Sequence, residues 1–225
     1  MDMRHESVTI EKSDALSLSK PELFDLSLVQ VELELAVETL TGLGPAVSIF
    51  GSARLSSTHA AYQIALEIAE KLSEKGISII TGGGPGVMEA GNKGCQLGKN
   101  GQSIGLNIKL PREQSPNLYQ DVSLFFEHFL TRKTIFMEYS AAYICVPGGF
   151  GTLDELMEAM TLMQTQKMAL KPVILVDREF WQPLMGWFES QFLKHEMIVK
   201  GDLHKFILVD SADEVLETLT KTGIL

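Results

Sequence analysis

The chain of 225 residues carries only two cysteines, Cys95 and Cys145, and both sit inside apolar or helical stretches. That scarcity excludes a disulfide framework and fits small core residues in a reducing compartment. Long apolar runs are also missing, so no segment reaches the length of a bilayer-spanning helix. The start, Met1-Asp2-Met3-Arg4-His5-Glu6, lacks the apolar core of a signal peptide. A soluble, cytoplasmic protein with no membrane partner is expected. Basic residues are few, 19 Lys and Arg against 29 Asp and Glu, for a formal net charge of −10. A surface that tracks nucleic-acid phosphates is thereby excluded. One small phosphorylated ligand stays allowed, because backbone amides bind a phosphate without a basic surface. The five histidines, His5, His59, His128, His195 and His204, show no metal-ligand spacing, so no metal is expected.

What is present is an ordinary globular composition, 45% hydrophobic, enough for a sizeable core. Residues 1–20 are polar and Ser-rich and read as a flexible tail, with a single domain over 21–225. Pro21 reads as an early helical residue, and Leu23, Leu26, Val29, Leu33, Ala36, Val37 and Leu40 recur at helical spacing up to Gly42. Beyond it, strand-like runs are Ala46–Phe50, Ile77–Ile80, Gln102–Leu106, Val122–Phe125, Ala142–Val146, Val173–Val176 and Phe206–Val209. Helical patterns occupy Thr58–Glu74, Val87–Leu97, Phe129–Tyr139, Leu153–Gln166, Phe180–Lys194 and Ala212–Thr220. This alternation predicts an α/β fold: one doubly wound, Rossmann-like domain with a mainly parallel sheet of about seven strands and helices on both faces.

Three of the expected strand exits carry glycine. They read Phe50-Gly51-Ser52-Ala53-Arg54, Thr81-Gly82-Gly83-Gly84-Pro85-Gly86, and Val146-Pro147-Gly148-Gly149-Phe150-Gly151-Thr152. A parallel sheet places these turns on one edge, where ligands bind. Free N–H groups at the start of each following helix favour an anion there. Neither Gly-Lys-Ser/Thr nor G-x-G-x-x-G spacing occurs, which favours a mononucleotide-like phosphate over ATP or NAD.

The run Pro147-Gly148-Gly149-Phe150-Gly151-Thr152-Leu153-Asp154-Glu155 matches P-G-G-x-G-T-x-x-E, and Arg132-Lys133 stands where M-H-x-R-K is expected. In both, and in Gly82–Glu89, the sequence resembles the LONELY GUY (LOG) family of cytokinin riboside 5′-monophosphate phosphoribohydrolases, over roughly Ala46 to Val209. Members are often labelled lysine decarboxylases. The resemblance implies a Rossmann-like homodimer or larger assembly that hydrolyses nucleoside monophosphates to base and ribose 5-phosphate, with no cofactor. It also implies Arg132 and Glu155 as catalytic residues. Substrate binding would fall to Gly51, Ser52, Gly83, Gly84, Gly86, Glu89, Lys133, Pro147, Gly148, Gly149, Gly151 and Thr152. The chain departs from the family in Phe129-Leu130-Thr131 ahead of Arg132, where its Met and His are missing.

Several of these residues admit a second reading. Thr152-x-x-Glu155 is also a capping box, in which Glu155 serves the helix. Arg132 and Lys133 fall near a helix start, where cations oppose the macrodipole, so they either face an anion or form a solvated pair. Arginine does not act as an ordinary acid, which leaves Arg132 an electrostatic role. Glu89 is a first-turn helix charge or a second carboxylate of the site, and Arg54 contacts phosphate or covers an acidic neighbour. Met157, Met160, Met163 and Met168 read as core or interface. The competing function is a non-catalytic binder of nucleotide or molybdenum cofactor, which needs the glycine turns but not Arg132 with Glu155. Pyridoxal-phosphate decarboxylation is set aside, since no Schiff-base lysine can be placed near the turns.

Overall fold

The computed structural model describes residues 25–110 and 115–225, in which strand and helix alternate. The expected tail, with Pro21 and Leu23, lies outside the described residues. A first helix α1 (Leu26–Leu40) leads to β1 (Ala46–Phe50), α2 (Ala60–Glu74), β2 (Ser78–Thr81) and α3 (Val87–Gly98). Two strands follow in succession, β3 (Ser103–Ile108) and β4 (Val122–Phe126), then α4 (Phe129–Tyr139), β5 (Ala142–Cys145) and α5 (Phe150–Gln164). The chain ends through β6 (Val173–Val176), α6 (Arg178–Trp187), the short α7 (Lys200–Leu203), β7 (Phe206–Val209) and α8 (Ala212–Lys221).

All seven strands form one sheet in the order β4-β3-β2-β1-β5-β6-β7, with every neighbouring pair parallel. The chain steps outward from β1 to β4, then returns to the other side of β1 with β5. That reversal makes the β1/β5 boundary the topological switch point, where a crevice opens at the strands' carboxyl ends. Successive strand residues point to opposite faces. Val47 and Ile49 pack with α2, α3 and α8, while Ala46 and Phe50 pack with α1, α4, α5 and α6. Both cores are apolar, and β1, β2, β5 and β6 are buried on both faces, as the interior of a parallel sheet requires. Met160 and Met163 belong to this core, and Met157 and Met168 pack partly buried against it.

Among the boundaries that differ from the sequence expectation, two belong to α1 and α6. Asp25 caps α1, its carboxylate accepting from the N–H groups of Ser27 at 3.0 Å and Leu28 at 3.2 Å, so the helix starts at Leu26. The stretch expected as one helix from Phe180 to Lys194 is instead α6 followed by a π-helical turn over Phe188–Leu193. Phe188 there stacks on Phe206 of β7, with ring centroids 5.9 Å apart. Among the described residues, no helix is long and apolar enough to cross a membrane.

Candidate active site

The three glycine turns meet at the switch point and are joined by their backbones. Ser52 N–H donates to the Pro147 carbonyl at 3.1 Å, and the Ser52 carbonyl accepts from Val87 N–H at 3.0 Å. Gly86 makes that contact possible. Its φ is +67°, and a Cβ there would stand 2.4 Å from the Ser52 carbonyl oxygen. The turns border a cleft of about 810 Å3.

The end of α5 forms one wall. Gly149 is its N-cap and has no capping side chain, so the amides of Phe150, Gly151 and Thr152 open the helix. Around Gly149 and Gly151 the space a Cβ would occupy is empty. The capping-box reading of Thr152 and Glu155 does not hold, because Thr152 lies inside the first turn and the cap is Gly149. Glu155 stands one turn further along, only 6% exposed, and lines the cleft. Burial pushes its carboxyl pKa above the ordinary value, against the attraction of Arg132.

Arg132 comes to the same cleft from the first turn of α4 and is 8% exposed. Its guanidinium lies over the Phe136 ring at 5.3 Å and fills the space that a side chain at Gly82 would take. Among the described residues it makes no hydrogen bond or direct ion pair. Burial pushes its pKa down, while Glu155 and Asp154 oppose the shift. The start of α4 is held from the opposite side by Glu32 of α1, which accepts from Glu127 N–H and the Thr131 hydroxyl. Burial raises the Glu32 pKa, but these hydrogen bonds outweigh it and leave the group below its ordinary value.

Of the residues singled out in sequence, Gly51, Ser52, Gly83, Gly84, Gly149, Gly151, Thr152, Arg132 and Glu155 line the cleft, and so does Arg54. Five others do not. Lys133 points along α5 to Asp154 at 2.9 Å and Glu158 at 2.8 Å. Glu89 accepts from the Tyr62 hydroxyl at 2.8 Å, tying α3 to α2. Gly86 packs on the first turn, while Pro147 and Gly148 lie behind the third, where Thr152 fills the space beside Gly148. The structure adds Met88, Asn107, Lys109, Phe125 and Phe129 to the lining. Asn107 was traceable in sequence as a polar residue inside an otherwise apolar strand; the aromatic residues gave no such signal.

A family model described as "Possible lysine decarboxylase" matches residues 79–219, more than half of the chain. The chain belongs to that family, the LOG family. A LOG relative from Oryza sativa subsp. japonica, named probable cytokinin riboside 5′-monophosphate phosphoribohydrolase, is 30% identical over 154 residues. The match covers 66% of this chain and 61% of the relative. A pyrimidine/purine nucleotide 5′-monophosphate nucleosidase of Escherichia coli K12 is 25% identical over 174 residues, covering 72% of this chain and 37% of that protein. The chain therefore spans less than two thirds of either relative. The molybdenum cofactor binding protein of Rippkaea orientalis shares the fold, with a TM-score of 0.60 at 21% identity over 80% of this chain and 98% of that one.

The family's description would imply pyridoxal phosphate, which needs a lysine for its Schiff base. Lys109 is the lysine of the cleft lining, and it is exposed and paired with Glu127 at the mouth. The residues present do not fit that group. Among the described residues there is also no cluster of three or more His, Cys, Asp or Glu suited to a metal ion.

Proposed function

We propose that this LOG-family chain hydrolyses the N-glycosidic bond of a nucleoside 5′-monophosphate, of the AMP or N6-modified AMP type. Arg132 carries the reading. A buried cation without a partner is costly unless something anionic joins it, and Arg132 shares its cleft with the amide end of α5. A 5′-phosphate at those amides, with Arg132 supplying positive charge toward the phosphate or the departing base, satisfies both. Met88, Phe125 and Phe129 offer the same cleft an apolar wall suited to a flat base.

In this scheme Glu155 serves at the sugar. Its ionised carboxylate stabilises the oxocarbenium-like charge on C1′ and accepts a proton from the attacking water. The water oxygen bonds to C1′, and the C1′–N bond breaks with its electron pair going to the base. The proton taken from water ends on that base, leaving ribose 5-phosphate. A carboxylate whose pKa is raised by burial is a stronger base for this step.

The assembly proposed is a homodimer or larger homo-oligomer. Val31, Leu35 and Val37 of α1 are all half-exposed apolar residues that association would cover. A monomeric mass by light scattering at micromolar protein would count against it. The two unpaired, buried thiols, Cys95 and Cys145, support a reducing, cytoplasmic setting.

The direct experiment is base release from AMP and from adenosine, followed by chromatography. AMP is expected to react and adenosine to react far more slowly. Equal turnover of the two would break the phosphate assignment. Tight AMP binding with no released base would instead favour the nucleotide or molybdenum-cofactor binder.

A further inference from the structure

Behind the second glycine turn lies a polar cluster that the proposed chemistry does not use. Gln120 and Asn107 sit at its centre, with Asn117, Ser123 and Gly105 around them. Gly105 is in the interior of β3, where glycine normally weakens a strand. A Cβ there would fall 2.0 Å from Gln120 Oε1, and a Cβ at Gly83 would fall 2.0 Å from Asn107 Oδ1. Two glycines thus vacate a slot for these amides. Within it, Gln120 Oε1 accepts from Asn107 Nδ2 at 3.0 Å and Ser123 Oγ at 2.8 Å.

Three further bonds of the cluster reach the turn's carbonyls. Gly83 O accepts from Gln120 Nε2 and from Asn117 N–H, both at 2.8 Å. Gly84 O accepts from Asn117 Nδ2 at 3.0 Å, and Gly83 N–H is engaged by Thr81 Oγ1 at 3.0 Å. The Gly83–Gly84 peptide is trans, so its N–H points opposite to its carbonyl. With Gly83 O turned toward residues 117 and 120, Gly84 N–H turns away from them. It has no acceptor among the described residues, and Gly84 lines the cleft.

We propose that Gln120, through the Gly83 carbonyl, and Asn117, through the Gly84 carbonyl, are positioning residues that fix both sides of Gly84 with its N–H toward the cleft, as a donor to the substrate's phosphate. The inference rests on the phosphate reading of the site given above. Neither side chain touches substrate; each acts through the carbonyl it holds.

Gln120→Glu tests it with almost no change in shape, because a carboxylate oxygen replaces the donor that faces Gly83 O. Gly83 O then keeps only the Asn117 N–H and faces a repelling oxygen, which loosens the hold on the peptide. Ribose 5-phosphate is the probe, titrated calorimetrically into the full chain. Its affinity is expected to fall roughly tenfold or more, the worth of one hydrogen bond to a charged group. With AMP, KM should rise while kcat changes less. Gln96→Ala is the control, since Gln96 also ties this segment, through Asp121 at 2.8 Å, without reaching the turn; its ribose 5-phosphate affinity should match wild type. Asn117→Ala provides the same readout if Gln120→Glu does not fold. Unchanged ribose 5-phosphate affinity in a folded Gln120→Glu or Asn117→Ala protein overturns the inference alone, and so does an equal loss in Gln96→Ala. Failure of the wild-type chain to bind ribose 5-phosphate overturns the phosphate reading with it.

Discussion

Two clusters of charge occupy the facing helices α4 and α5, and they are built on opposite terms. In the outer cluster, Lys133, which does not line the cleft, meets Asp154, which does, and Glu158 in direct ion pairs. On the side of the cleft, Arg132 and Glu155 attract each other without a direct ion pair and are almost fully buried. Arg132 and Lys133, and likewise Glu155 and Asp154, are sequence neighbours that fall in different clusters, turned apart by the roughly 100° that separates consecutive helical residues. One step along each helix changes directly ion-paired, partly exposed charge into buried charge with no direct ion pair. The outer cluster serves the fold in a small way. The inner one opposes the fold, and such opposition is common where a site is kept ready for a charged ligand.

Removing the inner cation should break this contrast most visibly. Arg132→Met is expected to lose about 10²–10³ in base release from AMP, the scale of a lost electrostatic contact in the transition state. The same variant should melt at or above the wild-type temperature, because the burial cost of a guanidinium with no hydrogen bond or direct ion pair among the described residues is gone. Its control is Lys133→Met, one residue away. That change should cost at most about 1 kcal/mol of stability, as partly exposed ion pairs do, and should leave base release essentially intact. A thermal melt and a base-release assay on both variants decide the matter. A destabilised Arg132→Met protein would mean that the inner charge holds the fold after all.

Glu155→Gln sharpens the comparison through pH. The folded-state pKa of Glu155 lies above its ordinary 4.5, with burial the main cause. The folded protein therefore holds this proton more tightly than the unfolded chain does. The stability it contributes is present below the ordinary value and is lost as pH rises through the raised one. Glutamine has no such loss. The variant should melt above wild type at pH 7, with the gap closing near pH 4. Base release should fall at least about tenfold and lose its acidic limb, which in wild type lies above the ordinary glutamate range. A wild-type acidic limb that persists in Glu155→Gln would assign that titration elsewhere.

The sheet was legible from the alternation of apolar runs with helical patterns, because strands buried on both faces can hardly be written otherwise. The placement of Arg132 and Glu155 was legible too, through the motif each belongs to. Sequence could not separate Arg132 from Lys133, since two adjacent cations differ only in which way the helix turns them. Thr152-x-x-Glu155 suggested a cap by its spacing, but Gly149 starts α5 three residues earlier, and spacing does not see the start. Glu89 read as either a helix-start charge or a site carboxylate, and the Tyr62 hydroxyl that it accepts from, 27 positions away, was not visible in that spacing. Gln120 and Asn117 were missed for a related reason. Their partners are backbone carbonyls, which leave no mark on residue type, and the trace that existed was a glycine in the middle of β3.

The main-chain links between the glycine turns have a consequence for motion. Ser52 is tied through its N–H to the third turn and through its carbonyl to the second. Loosening any one turn therefore disturbs bonds that hold the next, and the three belong to one cooperative opening unit. Side-chain replacement at Ser52 or Val87 leaves those links in place, since neither side chain forms them. A proline at either position would cut one, because it removes the donor. The rim of the cleft thus opens or stays shut as a whole, and its timing is governed by backbone groups that most substitutions do not reach.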